Sequence, residues 1–151
     1  MNSRFLDYRP PRIAMTLILL AAAIHVLVPL LPIHLFSSRL VAVFLGVAGF
    51  AVMMWAWWQF KEHKVAICPT DETDYLITDG VYRLTRNPMY LGMILMLFAI
   101  AVFVGTLPFY VAAFVFFTII NWVFCPYEED KLTRAFRQDY ADYRTQVRRW
   151  I

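Results

Sequence analysis

The sequence predicts an all-α polytopic membrane protein, with four transmembrane helices in two hairpins and a C-terminal amphipathic helix on the cytoplasmic side. Three observations predict it. Of the 151 residues, 61% are hydrophobic and 17% charged, against roughly 25% charged in soluble domains. Four apolar stretches approach the length of about 20 helical residues that a bilayer core requires. The Lys and Arg residues are distributed on one side: with both termini on the same face, thirteen of the fourteen share it and only Arg39 lies opposite. That asymmetry puts both termini in the cytoplasm. The chain supports a single membrane domain, expected in a bacterial inner membrane.

The first span is expected over residues 13–31, interrupted only by Thr16, His25 and Pro29. Its apolar part exceeds the core of a signal peptide, which runs about 7 to 15 residues. The second is expected over 40–60 and ends in Trp55, Trp57 and Trp58, a cluster suited to the membrane interface. The apolar block from Met89 to Phe124 would be about 54 Å long as one helix at 1.5 Å per residue, so it must turn. Gly105-Thr-Leu-Pro108 supplies the turn, because Gly tolerates positive φ and Pro favours a helix start. Spans over 89–104 and 107–124 result.

The longest hydrophilic stretch runs from Lys61 to Asn87, and Pro69, Asp71 to Asp74 and Asp79-Gly80 make its first part a loop. Thr85 or Asn87 is placed to cap the third span, with Pro88 in its first turn. After the fourth span, Leu132, Phe136, Tyr140, Tyr143 and Val147 recur every three or four residues, the period of an amphipathic helix. This helix is expected to lie along the membrane or over the loop.

The net charge of +3 reads as topology and attraction to anionic lipid rather than as a nucleic-acid footprint. No metal-ligand spacing, GxGxxG or Walker A motif occurs. Cys68 and Cys125 both fall on the cytoplasmic face, where thiols stay reduced. His25 is read as a packed, hydrogen-bonded residue. Asn121 is read as a neighbour of the site or a bridge between helices.

An apolar hairpin returns Arg86 and the pair Glu128-Glu129 to one membrane face. At this point the sequence resembles a known group. Gly80-Val-Tyr82, Arg86-Asn-Pro-Met-Tyr90-Leu-Gly92, Glu128-Glu129, and Val147-Arg-Arg-Trp150 with the amphipathic positions before it, resemble the isoprenylcysteine carboxyl methyltransferase and phospholipid methyltransferase superfamily. The resemblance covers roughly 61–151. Three positions depart from the common pattern: Asn87 stands where many members have His, Arg137 where they have Gly, and Arg148 where they have Pro.

The resemblance implies a membrane enzyme that uses S-adenosylmethionine, with its cofactor-binding part in 79–151. The implied cofactor contacts are Gly80, Tyr82, Arg86, Asn87, Pro88, Tyr90, Gly92, Glu128 and Glu129; Arg86 and Glu128 are the candidate catalytic residues. The residue types suit the ligand. Arg86 can fork onto a carboxylate, and a glutamate can accept from ribose hydroxyls or an ammonium. Tyr82 and Tyr90 can stack on adenine or face the sulfonium. The acceptor is expected to be lipophilic or small: an isoprenylcysteine-like carboxylate, a phospholipid amine or a thiol. The competing readings are an NADPH-dependent membrane reductase of related fold and a small non-catalytic transporter or assembly protein. A transporter would be expected to carry ionisable pairs inside its spans, where only His25 is found.

Overall fold

The computed structural model describes residues 10–28, 33–63 and 75–151; Cys68, Pro69, the stretch 71–74 and the end of the first expected span lie outside them. Among the described residues every regular element is a helix. These are α1 (Pro10–Leu27), α2 (Arg39–Glu62), a short 3-10 turn (Gly80–Arg83), α3 (Pro88–Val104), α4 (Leu107–Ile119), a π-helical segment (Ile120–Phe124) and α5 (Cys125–Gln146). By length and composition Pro10–Leu27, Arg39–Glu62 and the helical run Leu107–Gln146 are each able to cross a membrane; Pro88–Val104 is a shorter apolar helix.

The α3–α4 turn forms where the glycine and proline place it. Gly105 ends α3 at φ +74, and Pro108 sits in the first turn of α4. The segment before α2 laces onto this turn: Leu35 donates its N–H to Gly105 O at 2.7 Å, and Leu107 donates to Ile33 O at 3.0 Å. His25, at the end of α1, joins the same region through Thr106 Oγ1 at 3.3 Å and an edge contact with Phe109.

α2 runs antiparallel to α3, and small residues let the two backbones touch. A Cβ on Gly49 would lie 2.8 Å from the Gly92 carbonyl oxygen, and one on Gly92 would lie 2.6 Å from that of Gly49. α1 packs on α4, where Ala21 meets Phe109 and Ala112, while Ala14 joins Phe116 and Ile120 in the cluster that also holds Tyr90 and Phe124. The outward faces of α1, α2 and α4 expose large apolar side chains such as Leu19, Phe44, Val47 and Phe114, as lipid-facing surfaces do.

Two boundaries differ from the sequence expectation. Neither Thr85 nor Asn87 caps α3 through its side chain. Both side chains instead donate to the carbonyl of Arg149. The fourth span also passes into the C-terminal helix through the π segment with no loop between them. Up to Phe136 the run would be about 45 Å long at 1.5 Å per residue, longer than the hydrocarbon core of about 30 Å, so its polar end extends past any membrane that its apolar part spans. The run changes direction at Arg137, where φ is 43 and ψ −108. That change lets Tyr140, Tyr143 and Val147 pack with Ile77, Val81, Tyr82 and Ala56, and Leu132 and Phe136 flank the same cluster.

Candidate functional site

The site forms at the end of the bundle where α2 stops, α3 starts and α4 gives way to α5. Its floor is the 3-10 turn. Gly80 adopts φ +54, and a Cβ there would collide with the Gln59 side chain. Gln59, buried at the end of α2, donates to Asp79 O at 3.1 Å and accepts from Val81 N–H at 3.1 Å. A single amide thus ties the turn to α2. Tyr82 is held from the other side, because the Tyr143 hydroxyl donates to its carbonyl at 2.7 Å.

The chain then enters α3 through Thr85, Arg86 and Asn87, which bind the last residues of the protein. Arg86 N–H donates to Arg148 O at 3.0 Å. Thr85 Oγ1 and Asn87 Nδ2 both donate to Arg149 O, at 2.7 and 3.3 Å. Residues 147–150 therefore form a strap across the start of α3.

The same strap reaches the α4–α5 junction for a backbone reason. In the π segment Cys125 N–H bonds to Ile120 O, and the next residue, Pro126, has no N–H. The carbonyl of Asn121 consequently needs another donor, as helix carbonyls deprived of their partner do. Arg149 Nη1 supplies it at 3.2 Å, and Trp150 Nε1 donates to Asn121 Oδ1 at 2.9 Å.

Charges converge on Glu129. Arg149 grips its carboxylate with two bonds, Nε to Oε1 at 2.9 Å and Nη2 to Oε2 at 2.6 Å. Arg86 Nη1 lies 3.2 Å from the same Oε1 and donates to the Tyr140 hydroxyl at 3.3 Å. Burial by itself would raise the Glu129 pKa, but the Arg149 hydrogen bonds and the charge of Arg86 outweigh it and hold the carboxyl below its ordinary value. Arg86 Nε is buried with no acceptor.

Glu128 faces a different environment. It accepts a 2.5 Å hydrogen bond from the Tyr90 hydroxyl on α3. Burial pushes its carboxyl up to about 7; the Tyr90 bond and nearby Lys131 oppose this, and Glu129 adds to it. Burial, followed by the charge of Glu128, also raises the Tyr82 hydroxyl above the ordinary tyrosine value. Adjacent glutamates thus occupy opposite electrostatic roles, one fixed as an anion and one poised near neutrality.

Of the residues expected in the site, the structure brings together Arg86, Asn87, Pro88, Tyr90, Glu128 and Glu129, with Tyr82 beside Tyr143. Gly80 is in the supporting turn, packed on Gln59. Gly92 lies on the α2 face of α3 against Gly49 and Met53. Sequence reasoning singled out neither Gln59 nor the side chain of Arg149. Each carried a weak signal, the first as a lone amide in an apolar run and the second as an Arg inside the motif Val147-Arg-Arg-Trp150. Cys125 is a buried free thiol at the start of α5.

A search of curated proteins and a search of solved structures return no match. The model of one protein family, described as phospholipid methyltransferase, matches residues 37–139. That range begins with α2 and contains the 3-10 turn, α3, the π segment and both glutamates; the strap lies beyond it. With apolar helices able to cross a membrane and a match over more than half its length, the chain belongs to the phospholipid methyltransferase family, a family of membrane methyltransferases.

Proposed function

We propose that this protein transfers a methyl group from S-adenosylmethionine to an acceptor delivered from the membrane at its cytoplasmic face, through a bundle that crosses the bilayer four times. The observation that carries the reading is the pairing of the two polar patches, Arg86 with Glu129 and Tyr90 with Glu128, across the apolar hairpin that separates them in sequence. The family name points to a phospholipid, and an amine headgroup is the first acceptor to test; an isoprenylcysteine-like carboxylate and a small thiol are the others.

The residues present fit the cofactor. A buried Arg86 Nε without an acceptor suits a carboxylate, which planar guanidinium binds in bidentate fashion. Glu128, which no arginine grips among the described residues, is the carboxylate available to an ammonium or a ribose hydroxyl, whereas Glu129 is already committed to two guanidiniums. Tyr82 and Tyr90 are the aromatic residues available to stack on adenine or face the sulfonium. When bound, the cofactor supplies an electrophilic methyl group on sulfur. The protein contributes orientation and exclusion of water, which are the main requirements of a direct displacement. An amine acceptor must also lose a proton, and Glu128, with its raised pKa, is the nearest suitable base in this site.

Calorimetry on detergent-purified protein tests the reading. Saturable binding of S-adenosylmethionine is expected, weakened at least about tenfold in Arg86→Ala and in Glu128→Ala, as loss of a charge-assisted hydrogen bond requires. No binding to well-folded wild type at millimolar cofactor would end the proposal. Incubation of membranes with methyl-labelled cofactor then identifies the acceptor from the labelled product.

A further inference from the structure

Arg86 and Arg149 compete for one carboxylate. Arg149 has the better geometry, with two short parallel bonds to both oxygens of Glu129, while Arg86 keeps one contact at 3.2 Å. Among the described residues the Arg86 side chain donates from Nη1 to Tyr140, with Glu129 Oε1 3.2 Å from the same nitrogen, and its buried Nε has no acceptor. The side chains of Arg86 and Glu129 are each 11% exposed, so water does little to weaken a contact between them. A buried, unshared Glu129 would therefore close onto Arg86 as a two-bond fork, the geometry guanidinium and carboxylate adopt when nothing else engages them.

We infer that Arg149 is a positioning residue: by occupying Glu129 it keeps Arg86 from being captured by that glutamate and leaves Arg86 donors for the carboxylate of the cofactor. The inference rests on the reading that Arg86 receives that carboxylate. Arg149 is itself fixed from both sides. Its backbone carbonyl holds Thr85 and Asn87, and its Nη1 holds the Asn121 carbonyl that the π segment leaves without a helical donor. The strap thus sets where Glu129 sits, and Glu129 sets how much of Arg86 is available.

The test is cofactor binding by calorimetry to Arg149→Gln and to Arg149→Gln combined with Glu129→Gln, alongside wild type. Glutamine retains a donor for Asn121 and removes the charge. Arg149→Gln is expected to weaken S-adenosylmethionine binding about tenfold or more, the scale of one charge-assisted bond. The double variant is expected to recover most of that loss, because the neutral amide no longer captures Arg86. A damaged strap predicts the opposite, since the second substitution would only add to the damage. The inference is overturned if Arg149→Gln binds as wild type does, or if the double variant binds no more tightly than the single one. Should Arg149→Gln fail to fold, Arg149→Ala with and without Glu129→Gln makes the same comparison, and failure of both single variants to fold while the double variants also fail overturns it as well. Absence of binding by wild type would instead refute the cofactor reading itself.

Discussion

Two glutamates adjacent in sequence have their acid strengths shifted in opposite directions, because burial dominates at Glu128 while two arginines outweigh it at Glu129. Glu128 is raised to about 7 by burial, so in the folded protein its ionised form is disfavoured relative to the unfolded chain. The sign follows directly. A raised pKa contributes stability that is fully present below the ordinary carboxyl value of about 4.5 and is lost as pH rises through about 7. Glu129, held low by Arg149 and Arg86, contributes stability above its ordinary value that is lost as pH falls through the depressed one. Thermal melting in detergent between pH 5 and 8 is expected to show falling stability in wild type and a flatter profile in Glu128→Gln. Cofactor binding is expected to strengthen over the same window as the Glu128 carboxylate forms; an identical melting profile in both proteins would remove Glu128 as the titrating group.

At the scale of the element, α5 contains the one described non-glycine residue with positive φ, Arg137 at φ 43 and ψ −108. An L side chain there is strained. The redirection is needed, since it folds Tyr140, Tyr143 and Val147 back onto the 3-10 turn. Arg137→Gly is therefore expected to stabilise the protein by about 1 kcal/mol or slightly more, the usual relief of such strain less the added backbone entropy. Guanidinium or thermal unfolding measures it; a loss of stability would show that Arg137 holds the bend through its side chain. Periodicity made the amphipathic face of α5 legible in advance, because burial must follow the helical repeat. It did not disclose the bend, which no spacing encodes, or the continuity with α4, which depends on the π segment accommodating Pro126.

At the scale of the molecule, the proposed topology places the α1–α2 and α3–α4 connections on the face opposite the strap. In a background lacking Cys68 and Cys125, His34→Cys is expected to react with a membrane-impermeant maleimide in intact cells. Thr145→Cys is expected to react only after the membrane is opened. Both positions are exposed in the fold, so the reverse pattern would invert the orientation. The lacing of residues 33–38 onto the 105–107 turn and the strap across the start of α3 secure the bundle at its two ends.

Much of this was determined by the sequence alone. Apolar run lengths set the helices, Gly105 and Pro108 set their turn, and the order of Arg86, Tyr90 and Glu128-Glu129 identified the family, because each is a local or spacing property of the chain. The tertiary structure decided which glutamate is committed and which is poised, since that depends on which side chains meet across helices. It also decided that Gly92 serves the contact with Gly49 and that Gly80 makes room for Gln59. Finally, it brought Arg149 to Glu129 across a separation of 20 positions. That bond exists because α5 turns back and the Asn121 carbonyl lacks a helical donor, neither of which is a property of Arg149 or Glu129 in the linear chain.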